Sequence, residues 1–153
     1  ADMIVQGNPV ADPQVGVAYK FGMKQNMVDD KPFLGFNGKM AATYYFGTSN
    51  TIAEMVDVYL EAADGGYHIY FMNGNTKTYI AGVENKSAGL NLVTTKDDTC
   101  VWVIDNAAKT IINKAISNRG LASQVASQYT NFSFYATSNF GTAEYQTSWF
   151  MAA

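Results

Sequence analysis

Residues 65–82 carry the strongest local structural signal in this chain. A run of aromatic and β-branched residues at 67–72 meets the dipeptide Asn73-Gly74, and a second such run follows at 76–80. An Asn-Gly pair adopts positive φ at both central positions of a tight turn at little cost, and this geometry matches the twist of paired strands. The stretch therefore predicts a β-hairpin.

Similar short apolar segments recur at regular spacing and predict further strands. In residues 55–61, Val56, Val58 and Leu60 alternate with other residues, which predicts that these three side chains face a core. A second dipeptide, Asn37-Gly38, predicts another hairpin turn. Twelve strands are predicted in all, at residues 17–23, 32–36, 44–47, 55–61, 67–72, 76–80, 90–95, 100–104, 110–113, 120–125, 131–136 and 147–152.

Two segments also fit a helical pattern. Apolar spacing allows a helix at residues 54–61, but the alternating valines favour a strand. Residues 107–116 fit a helix as well, but they include the β-branched Thr110, Ile111 and Ile112, which lose side-chain freedom in a helix. We therefore expect an all-β chain.

The predicted strands repeat in groups of four. They align at offsets of 43 to 50 residues and define repeats at about 17–63, 66–105 and 109–152, within a single β domain of residues 17–153. The aligned pairs are Val58 with Val101, Ile69 with Ile112, Leu34 with Ile80, Tyr44 with Leu90, and Phe21 with Phe71.

Three four-stranded units of this length resemble the β-trefoil superfamily. The resemblance implies that six strands form a short barrel and six form a hairpin cap, around a pseudo-threefold axis. One unit cannot bury its own apolar face, whereas three units close the sheet and remove its edges. A jelly roll or another β-sandwich also uses many short strands at such spacing and is the alternative.

The two tryptophans bear on one branch of the trefoils. The ricin-type lectin branch carries a Gln-Xaa-Trp motif in the last strand of each repeat. Here Trp102 and Trp149 fall in the corresponding strands, but the glutamine is absent twice and displaced once, at Gln146. The resemblance to that branch is weak, and sugar binding by its rules is not implied. Residues 70–80 are also similar to small uncharacterised proteins of gut bacteria and their phages.

Trp102 itself is expected in the core. It lies between Val101 and Val103 near the end of a repeat. A strand segment with such neighbours is normally buried, so we predict that the indole packs inside the domain and does not serve as a ligand platform.

The charge and composition of the chain speak against a nucleic-acid partner and against a membrane helix. Charged residues are 15% of the chain, the net charge is −3, and Arg119 is the only arginine among scattered lysines. This pattern speaks against nucleic acid as a partner, since tracking a phosphate backbone needs clustered Lys and Arg. No stretch approaches the roughly 20 apolar residues of a membrane helix.

The compartment is constrained less tightly. A single cysteine, Cys100, excludes an intramolecular disulfide and is compatible with the cytosol, a bacterial surface or a virion. We expect an extracellular surface or a virion rather than the cytoplasm. The chain begins at Ala1 with no initiator Met, which leaves open whether it is processed or a fragment.

No catalytic constellation stands out. His68 is the only histidine, which excludes zinc sites built from several histidines. Cys100 precedes a core-like strand, where a buried thiol is inert. Glycosidases need two facing carboxylates, whereas the adjacent pairs Asp29-Asp30 and Asp97-Asp98 are typical of polar turns. We expect a chain that is not an enzyme and has no cofactor or metal.

The aromatic content indicates a binding surface. The chain has ten tyrosines, and neighbouring residues of a strand point to opposite faces, so not all of these rings can lie inside. Exposed tyrosines are enriched at binding surfaces. We therefore expect a non-enzymatic module that binds a glycan or a protein surface through Tyr44, Tyr45, Tyr67, Tyr70, Tyr79, Asn73 and Asn75.

Residues 1–16 differ from the rest of the chain. They hold two of the three prolines and show no periodic pattern, which predicts an extended arm. The arm could pack on its own domain or on a neighbouring subunit. Its apolar residues would be an association liability if exposed, which favours a homo-oligomer built through it. The alternative function is therefore assembly, as a structural virion protein of the capsid-decoration or fibre type or a surface-array subunit. The residues expected to make the contact are Met3, Ile4, Val5 and Val10.

Overall fold

The computed structural model of the protein confirms the all-β prediction. It describes residues 13–24, 33–42, 45–49, 52–83, 89–105, 110–125, 130–140 and 145–152. Within these ranges, no helix is long and apolar enough to cross a membrane. The strands are β1 (Tyr19–Lys24), β2 (Phe33–Ala42), β3 (Tyr45–Ser49), β4 (Tyr59–Ala63), β5 (Gly66–Asn73), β6 (Thr76–Val83), β7 (Gly89–Val93), β8 (Val101–Asp105), β9 (Thr110–Asn113), β10 (Arg119–Val125), β11 (Thr130–Ala136) and β12 (Tyr145–Ala152).

The strands form one antiparallel sheet that nearly closes on itself. Its path runs β3-β2-β1-β12-β10-β9-β8-β5-β6-β7, with β11 beside β10 and β4 beside β5. An isolated bridge between Tyr19 and Val58 connects the start of β1 to the residue before β4. The two residues exchange backbone hydrogen bonds of 2.9 and 2.8 Å. This bridge joins two otherwise distant parts of the path.

The core lies inside this sheet. Alternate residues of neighbouring strands point inward, as the strand period requires, and they include Leu60, Ile69 and Ile80, each at most 1% exposed. Trp102 is fully buried, and its ring meets Phe134 edge-on with centroids 5.6 Å apart. The indole Nε1 donates to the carbonyl of Ile80 at 2.9 Å. The prediction that Trp102 lies in the core is confirmed.

The central hairpin is confirmed, with its turn one residue later than predicted. Asn73 pairs with Thr76 at the end of the ladder, so the turn residues are Gly74 and Asn75. Gly74 has φ +63°. Both primed turn types need positive φ at their first central position, and glycine meets that need without steric cost.

The predicted hairpin turn at Asn37-Gly38 is wrong. Strand β2 runs through both residues to Ala42, and its pairing with β3 shifts register between Phe36 and Met40. Gly38 has φ +84°, and the side-chain Oδ1 of Asn37 accepts a hydrogen bond from the backbone N–H of Lys39 at 3.0 Å. The positive φ therefore serves an irregularity within a strand and not the end of one.

The two segments with helical alternatives contain strands. Val58 and Leu60 are buried as predicted, although a 3₁₀ turn, Ile52–Glu54, precedes this strand. In the second segment, β9 covers Thr110–Asn113. Residues 106–109 lie outside the described ranges.

The last residues of the predicted arm contact their own domain. Val15 forms a bridge with Leu60, and the N–H of Gly16 donates to the Leu60 carbonyl at 3.2 Å. The N–H of Gln14 donates to the Tyr19 hydroxyl at 2.6 Å. The apolar residues predicted to make an intermolecular contact, Met3, Ile4, Val5 and Val10, lie outside the described part of the chain.

Candidate functional site

The outward face of β4, β5 and β6 carries a network of polar and aromatic side chains. Its members occupy the positions between the inward-facing core residues. They include Glu61 on β4, His68 and Tyr70 on β5, and Lys77 and Tyr79 on β6. Because three adjacent strands present them on one surface, these side chains reach one another across the sheet.

Glu61 is the centre of this network. The hydroxyl of Tyr79 lies 3.2 and 3.1 Å from its two carboxylate oxygens. Lys77 Nζ donates to Oε2 at 3.1 Å, and Lys96 Nζ donates to Oε1. The hydrogen bond from Lys96, helped by those from Lys77 and Tyr79, lowers the pKa of Glu61 to about 2 despite its partial burial. The carboxylate therefore stays ionised and holds three partners at neutral pH.

The tyrosine rings on this face already have partners within the chain. Tyr70 stacks on Tyr59 with centroids 5.4 Å apart and an interplanar angle of 19°. Lys77 Nζ lies 4.3 Å from the Tyr70 centroid. Tyr79 is 6% exposed, and it contacts Tyr70 and meets His68 edge-on at 5.6 Å. These contacts leave little ring surface on Tyr79 for a ligand.

The predicted binding residues are divided among several places. Tyr70 and Tyr79 share the outward face, whereas Tyr67 is half-buried and packs against the core. Asn73 and Asn75 are exposed at the tip of the central hairpin. Tyr44 lies outside the described residues, and Tyr45 begins β3 with its side chain outside the description.

A pocket of about 550 Å³ adjoins the outward face. It lies where the β4–β5 turn, the segment before β8 and the end of β9 come together. Its lining mixes both signs of charge with a buried imidazole. The residues are Ala63, Asp64, His68, Lys96, Asp97, Asp98, Val101, Lys114 and Ala115. Lys96 belongs both to this lining and to the Glu61 network.

Lys114 lies across the tight β4–β5 turn. Gly65, in that turn, has φ +78°, and a Cβ there would collide with the end of the Lys114 side chain. Lys114 Nζ donates to the carbonyl of Asp64 at 2.8 Å. Among the residues described, no carboxylate forms an ion pair with Lys114. Its ammonium therefore has donors available on the pocket side of the turn.

A short 3₁₀ turn, Asp98–Cys100, forms another part of the pocket wall. Asp97 caps it, because one carboxylate oxygen accepts from the N–H of Thr99 at 2.9 Å and from the Thr99 hydroxyl. The hydrogen bond from the Thr99 hydroxyl is the main reason that the pKa of Asp97 lies below its ordinary value. His68 Nδ1 lies 3.0 Å from the Cys100 carbonyl. A carbonyl only accepts, so Nδ1 donates, and Nε2 is an acceptor in the neutral ring.

Cys100 is not a candidate nucleophile. The side chain is fully buried, and burial raises the pKa of its thiol. A protonated, buried thiol reacts poorly. Within the ranges given above, no group of three or more His, Cys, Asp and Glu side chains is placed to hold a metal ion.

Both donors and acceptors line this pocket. Lys96 and Lys114 supply N–H donors, and the exposed carboxylates of Asp64 and Asp98 supply acceptors. In the sequence, Asp97-Asp98 is typical of a polar turn and the lysines are scattered, because residues 64, 96 and 114 come together only in the fold. The doublet of turn formers at 97–98 was the one local signal.

Comparison of this chain with protein-family models, curated proteins and solved structures finds no match.

Proposed function

We propose that this chain is a non-enzymatic binding module of the β-trefoil type that binds a neutral glycan in the pocket beside His68. The observation that carries the proposal is the lining of that pocket. Positively charged donors and negatively charged acceptors line a volume of about 550 Å³. This volume falls in the range of about 300–1,000 Å³ typical of small-molecule sites. An extracellular surface or a virion suits such a module.

The strand pairing supports the trefoil. The pairs β4–β5, β5–β8, β8–β9 and β12–β1, with the Tyr19–Val58 bridge, lie on one nearly closed ring. The hairpins β2–β3, β6–β7 and β10–β11 leave this ring, and β3, β7 and β11 contact one another. A barrel with three converging hairpins is the trefoil arrangement, whereas a jelly roll packs two separate sheets.

Burial supports a repeat with a slightly different offset. The sequence alignment at 43 residues places Leu60, 1% exposed, on Val103, 48% exposed. An offset one residue shorter places Leu60 on Trp102 and Val58 on Cys100, and all four side chains are then buried. Equivalent strands of a repeat must bury the same face, so the shorter offset is the better alignment.

A neutral glycan fits the chemistry of the pocket better than a charged ligand. A sugar hydroxyl both donates and accepts, so it can bond to an ammonium and a carboxylate at once. Asp64 and Asp98 would repel an anion, and Lys96 and Lys114 would repel a cation. The contacts that Tyr70 and Tyr79 already make within the chain favour a ligand site in the pocket over one on these tyrosine rings.

Assembly is the second candidate function. Val15 and Val17 are 51% and 46% exposed beside β4, where the predicted arm enters the domain. Half-exposed valines at that point suit a contact between copies of a virion or surface-array subunit. Size-exclusion chromatography distinguishes the two functions: a stable oligomer that dissociates when residues 1–14 are deleted favours assembly.

An array of immobilised neutral and acidic oligosaccharides tests the glycan site. We expect retention on neutral sugars, reduced about tenfold by Lys114→Met or Asp98→Ala, because each removes one hydrogen bond to a charged group. Lys39→Met, at an exposed position on β2, is the matched control and should leave retention unchanged. Absence of retention on every sugar, or equal retention by the wild type and Lys114→Met, contradicts the proposal.

A further inference from the structure

We infer that Glu61 is a positioning residue for the pocket: its carboxylate holds the Lys96 ammonium at the pocket wall, where Lys96 donates to the ligand. The inference rests on the proposed glycan site. It extends that site to Glu61, a residue that does not line the pocket, and it explains why the Lys96 side chain keeps one position at the pocket wall.

Lys96 needs such an anchor. It follows β7 in the segment before the 3₁₀ turn, and its side chain is 48% exposed. A lysine side chain is long and flexible, so an unpaired one would sample many positions at the rim of a pocket. Its ion pair with Glu61 Oε1 selects one of them. An ammonium has three N–H groups, so donors remain for a ligand after Glu61 has accepted one.

The anchor is itself held in place. Glu61 lies on β4, which pairs with β5, and its side chain is 24% exposed. The hydroxyl of Tyr79, a residue that is almost fully buried, donates to the carboxylate from β6. Lys77 donates to Oε2 of the same carboxylate, whereas Lys96 donates to Oε1. A ligand that meets Lys96 thus meets a group whose orientation is set before binding.

Lys77 supplies a matched control within the network. Like Lys96, it is a half-exposed lysine paired with Glu61, but it is not among the residues that line the pocket. Loss of Lys77 removes one partner of Glu61 and leaves the Lys96 contact in place. A general effect of the network on folding would affect both lysines alike, whereas a positioning effect concerns Lys96 alone.

The test combines a ligand-independent and a ligand-dependent measurement on the full chain. NMR titration of protein labelled at the lysine ε-carbons gives the Lys96 pKa, which Glu61 raises. We expect Glu61→Gln to lower the Lys96 pKa and Lys77→Met not to lower it. On the neutral oligosaccharide array, Glu61→Gln and Lys96→Met should each reduce retention about tenfold, since each removes a charge-assisted contact. The double variant should be no weaker than Lys96→Met, and Lys77→Met should match the wild type.

Each outcome decides the inference. An unchanged Lys96 pKa in Glu61→Gln overturns the anchoring of Lys96 by Glu61. If Glu61→Gln leaves retention on the array unchanged, or if the double variant loses the sum of the two single losses, Glu61 does not act on the ligand through Lys96. If Glu61→Gln does not fold, full retention by Lys96→Met, altered only at an exposed side chain, overturns it as well. If the wild type retains no sugar, the proposed function fails, and with it the role of Lys96 in binding. The pKa measurement then still decides whether Glu61 holds Lys96.

Discussion

The two faces of strands β4, β5 and β6 are built from alternate residues of the same segments, yet different forces hold them together. The inward face presents Leu60, Ile69 and Ile80, which are almost completely removed from water. The outward face presents Glu61, Tyr70 and Tyr79, which are joined by hydrogen bonds, ring contacts and two lysines. Burial of apolar area is strong and non-directional, whereas ion pairs near the surface are weak and directional.

The difference separates stability from specificity. The inward face should account for most of the free energy of unfolding that these strands contribute, because each buried apolar side chain stabilises by about 1.5–3 kcal/mol. The ion pairs of the outward face contribute little free energy but fix the positions of charged groups beside the pocket. Substitutions on the two faces should therefore differ in size, in pH dependence and in their effect on binding.

Trp102→Ala, which opens the core, should have the largest effect. We expect a loss of about 3–5 kcal/mol in the free energy of unfolding, because the cavity adds to the lost transfer free energy. The Ile80 carbonyl also loses its indole donor. Urea denaturation measures the loss, and Val103→Ala, on the same strand but half exposed, is the control and should cost about 0.5 kcal/mol or less. A loss under about 1 kcal/mol for Trp102→Ala would contradict the inward position of the indole.

Acid should remove the contribution of the outward face. The folded pKa of Glu61 is about 2, below its ordinary value of 4.5, so the unfolded chain binds a proton more readily than the folded chain. The contribution of Glu61 to the free energy of unfolding is therefore fully present above about pH 5 and is lost as the pH falls through 4.5 towards 2. For a partly exposed carboxylate we expect roughly 1 kcal/mol after solvent screening.

Urea denaturation of the wild type and Glu61→Gln at pH 6 and at pH 2.5 isolates the contribution of Glu61 to the free energy of unfolding. The difference in free energy of unfolding between the two proteins should shrink at the lower pH, because the wild-type carboxyl then becomes protonated in the unfolded state. A difference that stays constant over this range would show that Glu61 does not keep a lowered pKa in the folded chain.

Lys77→Met should have the smallest effect on stability. Lys77 is exposed, and the pair that it forms with Glu61 is a surface pair, so the melting temperature should hardly change. The pKa of Glu61 should rise, since one of the hydrogen bonds that lowers it is gone. NMR titration of the Glu61 side chain measures that pKa. A melting temperature lowered as much as by Trp102→Ala would mean that the two faces do not differ as described.

The inward face could be predicted from the sequence because its signal is local. Alternation at Val56, Val58 and Leu60 needs only neighbouring residues, and Trp102 was placed in the core from its flanking valines. The prediction of hairpin turns fails where two identical local signals occur in different structural settings. Asn73-Gly74 and Asn37-Gly38 are the same dipeptide, but one lies at the end of a hairpin and the other lies inside a strand. Both glycines have positive φ, and pairing with distant residues decides whether that φ forms a hairpin turn or an irregularity within a strand.

The outward face and the pocket could not be predicted in this way. The contact of Glu61 with Lys96 joins residues 35 positions apart, and that of Lys114 with Asp64 joins residues 50 apart. Turn formers such as Gly65 and Asp97 indicate where the chain bends, but not which bends meet. The tyrosines were conspicuous in the sequence because they are numerous, whereas the charged residues that line the pocket occur singly or in one short pair.

The pairing of β1 with β12 has a mechanical consequence. Tyr19, at the start of β1, lies opposite Ala152, at the end of β12, and the ladder continues to Met23 and Ser148. The hydrogen bonds of an antiparallel ladder are perpendicular to the strands. A force that pulls Tyr19 away from Ala152 would therefore open this ladder one bond at a time, like a zipper, and would not load all of its bonds together. This ladder should separate at lower tension than it would if the same two strands were pulled along their length.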